Sequence, residues 1–337
     1  MKINMAHNPK LNIYIISLKP KKQDENKTFR DFLKEKYAKN SDMSDKALMK
    51  YLFTSFINGV GQDEFHKDDK SKKVIGIDDG NMLPMTLYSD TRMIDGVIEG
   101  GKYGILREYQ DTEKKEGKTE IKPNYAVLDK YYILLNPILN DKYAVLLTQS
   151  YTEESIQGPI NEFIRELLGG CDNYFKVDVE PFVPKRLKEK YEKSAAIRMF
   201  SFTSPLPLSE SLRKKVTEAA QEFEVEVRIR PVNQKLPINS EGTREIMQEV
   251  SKMTLDQQTL GEGKGRIYTA DEQGRNANYD ISKDIQSIRP TIYLSDEGIT
   301  SDEQTGLPDF KAIQEYCHKL LKEIKAERNI NQDIYEF

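Results

Sequence analysis

Apolar and polar positions follow two rhythms along this chain, a period near two and a period near 3.6, and the switch between them marks the elements. Asp129–Gly170 shows both. Tyr131–Leu135 and Tyr143–Leu147 are unbroken apolar runs on either side of a turn-forming NPILND segment. Such runs predict strands buried on both faces, central in a sheet. Pro159 then stands at a first helical position, where its missing N–H is harmless. Ile160, Phe163, Ile164, Leu167 and Leu168 make one apolar stripe, and Gly169-Gly170 ends the helix. This helix is expected to bridge to a second domain.

The same reading extends outward. Leu11–Leu18 predicts a buried strand. Thr28 caps a helix from Phe29 to Ala38, and Ser44 caps a second one that carries Leu48, Tyr51, Leu52, Ser55 and Phe56, with Gly59 as its stop. Val74–Ile77, Met85–Tyr88, Met93–Glu99 and Tyr103–Tyr109 predict strands, with Gly100-Gly101 as a hairpin turn. Asp111–Asn124 reads as a flexible charged loop.

Beyond residue 170, strands and helices alternate. Tyr174–Val179, Ala195–Thr203, Glu224–Arg230 and Ile288–Leu294 predict strands. Pro184–Lys193, Ser209–Phe223, Glu241–Met253 and Pro308–Lys325 predict helices. EVEVRIR alternates strictly, so Val225, Val227 and Ile229 face inward while Glu224, Glu226, Arg228 and Arg230 face water. Gln257–Asn278, rich in Gly, Gln and Asn, reads as a loop around a short strand, Arg266–Thr269. The expected fold is α+β: an N-terminal, largely antiparallel sheet with helices over 1–170, then a mixed α/β sheet domain over 171–337.

Composition adds bounds. At 337 residues, two domains are expected. The net charge of −4 gives nucleic-acid binding no general support, so any such binding needs a local basic patch. Two cysteines, Cys171 and Cys317, suit a reducing interior. The start MKINMAHNPKLNIYIISL lacks a cleavage site, and no run approaches the roughly 18 apolar residues of a membrane span. A cytoplasmic protein with no membrane span is expected.

Candidate chemistry is sparse. His7, His66 and His318 do not cluster with the cysteines at metal-ligand spacing, and no metal or cofactor is expected. Asp78, Asp79, Asp90 and Asp95 sit at predicted strand ends, where paired carboxylates could hold Mg²⁺ for phosphodiester cleavage. The EIK tripeptides at Glu120–Lys122 and Glu323–Lys325 lack the strand context that such a nuclease core needs. No G-x-S-x-G elbow occurs, which disfavours a Ser/His/Asp triad. GEGKG at Gly261–Gly265 lacks the following Ser or Thr and helix of a phosphate loop. Lys19–Lys22 and Lys70–Lys73 read as solvated charge. The candidate phosphate-binding residues are Lys185, Arg186 and Lys188 on the basic helix, with Arg198, Arg228, Arg230 and Arg266.

Four segments carry a family resemblance: KYAVLLTQSYTEESIQGPINEFI, YEKSAAIRMFSFTSPLPLSESL, EVEVRIRPV and LSDEGITSDEQTGLPDFKAI. Their order resembles that of uncharacterised bacterial phage-defence (abortive-infection-like) proteins, over about the C-terminal two-thirds of the chain. Where that pattern has Arg after the first strand, this chain has Ser150. The resemblance implies a cytoplasmic bacterial protein acting in defence within a multi-protein system. Joined to the basic residues, the leading reading is a non-catalytic component that binds nucleic acid or a partner protein. Two other readings stand beside it: a metal-dependent nuclease or toxin effector, and a structural or regulatory subunit that forms a homo-oligomer.

Overall fold

The computed structural model describes residues 8–22, 27–38, 43–61, 64–78, 80, 82–114, 117–174, 177–206, 223–232, 236–238, 264–272, 274–280 and 289–328, with short pieces within 245–259. The fold is α+β. It divides into two compact units, Met1–Phe182 with Ile292–Phe337, and Val183–Thr291.

The first unit begins with β1 (Lys10–Ser17). Thr28 caps α1 (Phe29–Leu33) through a reciprocal box: its side chain accepts from the Asp31 backbone N–H, and the Asp31 carboxylate accepts from the Thr28 N–H at 2.8 Å. A single π turn, Lys34–Ala38, follows. Ser44 caps α2 (Asp45–Val60), which runs through Gly59 and stops at Gly61, whose φ of 104° suits glycine. Gly59 is a packing position instead of a stop: a Cβ there would lie 2.7 Å from the Phe163 ring.

The strands β2 (His66–Asp68), β3 (Lys73–Ile77), β4 (Thr86–Tyr88) and β5 (Met93–Lys102) follow. β6 (Arg107–Tyr109), the end of the strand expected at Tyr103–Tyr109, and β7 (Thr119–Ile121), inside the expected loop Asp111–Asn124, form a separate two-stranded ribbon. β8 (Val127–Pro137), β9 (Tyr143–Ser150), α3 (Gln157–Leu167) and β10 (Asp178–Pro181) complete the run. The sheet order is β10-β1-β9-β8-β5-β3-β2, with every neighbouring pair antiparallel. The two unbroken apolar runs lie centrally, as their lack of alternation requires.

Gly100 and Gly101 do not turn. They lie inside β5, opposite Asp129 and Leu128 of β8. A Cβ on Gly101 would lie 1.7 Å from the Val127 carbonyl oxygen, so close backbone approach explains the pair. The stripe of α3 is buried in the core of the first unit, with Phe56 of α2 and Ile98 of β5, and does not bridge away from it.

The second unit starts with α4 (Lys185–Glu192) and β11 (Ala196–Leu206). β12 (Phe223–Ile229), β13 (Leu236–Pro237), β14 (Thr254–Leu255) and β15 (Gln258–Thr259) follow, then β16 (Lys264–Ala270) and β17 (Asn276–Asp280). The main sheet runs β12-β11-β16-β17, with β13 on β11. The expected loop at Gln257–Asn278 thus contains most of an antiparallel hairpin. Ile267 and Thr269, with Ala277 and Tyr279, supply the inward positions that its Gly- and Asn-rich composition masks. The predicted helix at Ser209–Phe223, and most of that at Glu241–Met253, lie outside the described residues.

The chain then re-enters the first unit through β18 (Ile292–Tyr293), which pairs with β1; this is what remains of the strand expected at Ile288–Leu294. Asp309 caps α5 (Phe310–Glu327), whose Ile313, Cys317, Leu320 and Ile324 are buried. α5 contacts β8 and β5. Tyr131, Ile133 and Leu135 of β8 enter the α1–α3 core, so Tyr132 and Leu134 face the opposite side by strand alternation.

Candidate nucleic-acid interface

In the second unit, Ile197, Phe200 and Phe202 of β11 face Ile267 of β16 and Tyr279 of β17 in an apolar cluster. Strand alternation sends the intervening side chains to the opposite, open face. Register aligns them. Arg228, Ser201, Arg266 and Asp280 form one row across four strands, and Met199, Tyr268 and Asn278 form another. The β11 register shifts between Ile197 and Met199, which leaves Arg198 as an extra, exposed residue beside Tyr268.

A concavity of about 640 Å³ opens here, lined by Arg198, Arg266, Tyr268, Asn278, Asp280 and Arg289 among others. The three guanidiniums are exposed, and none is ion-paired to another described residue. One carboxylate, Asp280, shares the space, so the positive charge is in excess but not unopposed. Tyr268 is half-buried, which fixes its ring while leaving part of it accessible.

The seven expected residues therefore divide. Arg198 and Arg266 come together. Arg228 shares Arg266's row but donates to Glu226 at 2.7 Å, and the same carboxylate accepts from Ser201 Oγ at 2.7 Å. Arg228 holds the Glu226 carboxyl below the usual carboxylate range, and its own charge is largely spent. Arg230 lies just past β12, exposed. Lys185, Arg186 and Lys188 belong to α4, whose Tyr191 packs into the apolar cluster behind the sheet. The Tyr191 hydroxyl lies 2.8 Å from Thr269 Oγ1 and donates to the Arg275 carbonyl at 3.3 Å. The basic helix and the Arg266 row thus occupy opposite sides of one sheet. Arg289, Tyr268 and Asn278 were missed. The alternation of Arg266–Ala270 could have revealed Tyr268, but nothing local singles out Arg289.

Among the described residues, the candidate acids of the first unit do not converge. Asp78 is buried and accepts from Lys130 Nζ at 2.5 Å. Asp90 is exposed, and Asp79 lies outside the described residues. Asp95 is 0% exposed and accepts from Tyr132 Oη at 2.7 Å, from Gln314 Nε2 at 3.2 Å, and bonds His318 Nε2 at 2.6 Å. Its partners lie far along the chain, so no local pattern showed the pairing. Among the described residues no group of three His, Cys, Asp or Glu could hold a metal ion, and no helix is long and apolar enough to cross a membrane. Lys264 and Gly265 of GEGKG belong to β16, while the first three residues, like His7, lie outside the described residues. No protein family and no curated protein matches this chain.

Proposed function

We propose that this chain binds single-stranded nucleic acid on the open face of its second sheet, as a component of bacterial anti-phage defence whose role at that face is binding. One observation carries the binding: Arg198, Arg266 and Arg289 converge around Tyr268 in one concavity. Guanidiniums recognise phosphate oxygens through forked hydrogen bonds. An aromatic ring on a sheet adds stacking worth about 1–3 kcal/mol per base, without sequence preference. An unpaired base can lie on such a ring, whereas a base inside a duplex cannot. Asn278 and Asp280 offer polar edges beside it. The defence role is supported by the resemblance of four segments.

Fluorescence anisotropy of the full chain with labelled oligo-dT and oligo-U tests the reading. Binding is expected to weaken as salt rises. Replacing Arg198, Arg266 and Arg289 together with Ala is expected to lower affinity about tenfold or more. Arg228→Ala is expected to change little, because Arg228 is tied to Glu226. Absence of salt-sensitive binding by the full chain would sink the proposal.

A partner-protein reading draws on a different place. Ile105, Leu106 and Tyr109 at the β6–β7 ribbon are 60%, 57% and 59% exposed. Light scattering of the wild type and of Leu106→Ser would show self-association there, and a monomer at every concentration would remove the homo-oligomer version.

A further inference from the structure

We infer that Asp95 and His318 form a general-base dyad on the α5 side of the first unit, with Tyr88 donating to the carbonyl oxygen of a neutral ester. The inference is independent of the nucleic-acid reading. Asp95 lies within β5 and is wholly buried. A carboxylate there costs several kcal/mol unless donors surround it. Tyr132 of β8 and Gln314 and His318 of α5 bond to it.

The cluster that fastens α5 to the sheet also keeps polar atoms that no described residue engages. The His318 side chain is 32% exposed, and only Nε2 is engaged, so Nδ1 has no partner among the described residues. An Nε2–H donated to the carboxylate leaves the basic lone pair on Nδ1. The Tyr88 ring stands edge-on to the imidazole at 5.7 Å between centroids. Its hydroxyl accepts from Gln314 Nε2 at 3.2 Å, and its own proton has no acceptor among the described residues. Burial and the Asp95 charge push the Tyr88 hydroxyl up, which keeps it a donor at neutral pH. A base and a donor thus stand side by side.

The surroundings set the substrate class. The bonded cluster contains one carboxylate and neither Lys nor Arg. Glu315 and Lys322 lie about one turn from His318 on α5, Cys317 is buried beside it, and Tyr88 and Tyr132 face it from β4 and β8. That field does not favour a phosphate anion, and it suits an uncharged acyl group. Water gives a proton to Nδ1 as its oxygen bonds to the carbonyl carbon. The carbonyl electron pair moves onto oxygen, where the Tyr88 O–H donates to it. Collapse breaks the bond to the alcohol oxygen, which takes the proton back from the imidazolium. Acid and alcohol leave, with no change of oxidation state.

The test is hydrolysis of p-nitrophenyl acetate by the full-length chain across mildly acid to mildly alkaline pH. The wild type is expected to exceed an equal concentration of free imidazole. His318→Gln is expected to lose about tenfold or more. Tyr88→Phe is expected to lose several-fold with an unchanged circular-dichroism spectrum. Asp95 is a positioning residue, so Asp95→Asn is expected to displace the pH–rate profile as well as lower the rate. A wild-type rate no higher than imidazole, or equal rates for wild type and His318→Gln, overturns the proposal. If His318→Gln or Asp95→Asn fails to fold, Tyr88→Phe decides: a rate equal to wild type overturns it, and a loss with the fold intact supports it.

Discussion

Lys325 lies on the last turn of α5, and burial pushes its ammonium down to about 8 from an ordinary 10.5, with Arg92 adding like charge. Asp271 in the second unit shows the contrast: it is more deeply buried than the half-buried Lys325, but the Arg275 guanidinium pairs with it and the Arg275 backbone N–H donates to it at 2.8 Å. Lys325 has no ion pair or hydrogen bond to another described residue. Its folded value lies below its unfolded one, so the native state binds fewer protons between about 8 and 10.5. The destabilisation is therefore fully present below about 8 and is relieved as pH rises toward 10.5. Buried tyrosines act in the opposite sense. Tyr131, Tyr132 and Tyr151 are pushed up by desolvation, so their contribution is present below the unfolded value of 10.0 and is lost above it. The clean measurement is a difference. Lys325→Met is expected to raise stability at neutral pH by on the order of 1 kcal/mol. That gain should shrink as pH climbs through the window, as read from urea unfolding of both proteins at each pH.

At the scale of elements, the β5–β8 pairing is the most sensitive seam. A Cβ on Gly101 meets the Val127 carbonyl at 1.7 Å, and backbone cannot yield as a flexible side chain does. Gly101→Ala is expected to destabilise the first unit by about 3 kcal/mol or more. Gly158, exposed in the first turn of α3 with nothing within 4 Å of its would-be Cβ, supplies the contrast. Gly158→Ala is expected to stabilise by about 0.5–1 kcal/mol through helix propensity. Thermal melts of the two variants test both signs. These glycines also show where sequence stops being legible. Gly100-Gly101 between apolar runs looks the same whether it turns the chain or admits a neighbouring backbone, and the partner strand lies some thirty residues downstream. Strict alternation in EVEVRIR and the apolar stripe of α5 were legible because the periodicity is local. β16 and β17 were obscured because their outward positions are Arg, Lys and Asn, whose composition resembles a loop. The concavity was half legible: Arg198 and Arg266 have visible charge, but their meeting depends on a bulge and on register. The pairing of Asp95 with His318 has no local signature, because 223 residues separate them.

At the scale of the molecule, the chain divides later than the Gly169-Gly170 pair suggests. Those glycines end α3, but Lys36 Nζ donates to the carbonyls of Leu167 and Gly169 at 2.6 and 2.7 Å and ties that end into the first unit. The chain then adds β10 to the sheet before leaving. Along the edge of β1 away from β9, Pro181 pairs with Tyr14, the Phe182 N–H donates to the Ile13 carbonyl at 2.8 Å, and Ile292 pairs with Leu11. β10 and β18 both run antiparallel to β1. They are two pieces of one interrupted edge strand, and Val183–Thr291 departs from the gap and returns to it. The gap spans two residues of β1, roughly 7 Å at strand rise, so a Gly-Ser bridge of a few residues can close it. Replacing Val183–Thr291 with such a bridge is expected to leave the first unit folded, with the Leu11 and Ile13 amides still slow to exchange in hydrogen-exchange mass spectrometry. The shortened chain separates the two proposed activities. It should lose salt-sensitive oligonucleotide binding altogether, because Arg198, Arg266, Arg289 and Tyr268 leave with the insert. It should retain ester hydrolysis, because Asp95, His318 and Tyr88 all belong to the remaining unit. A folded, shortened chain that still binds oligo-dT as the full chain does would place the binding surface elsewhere.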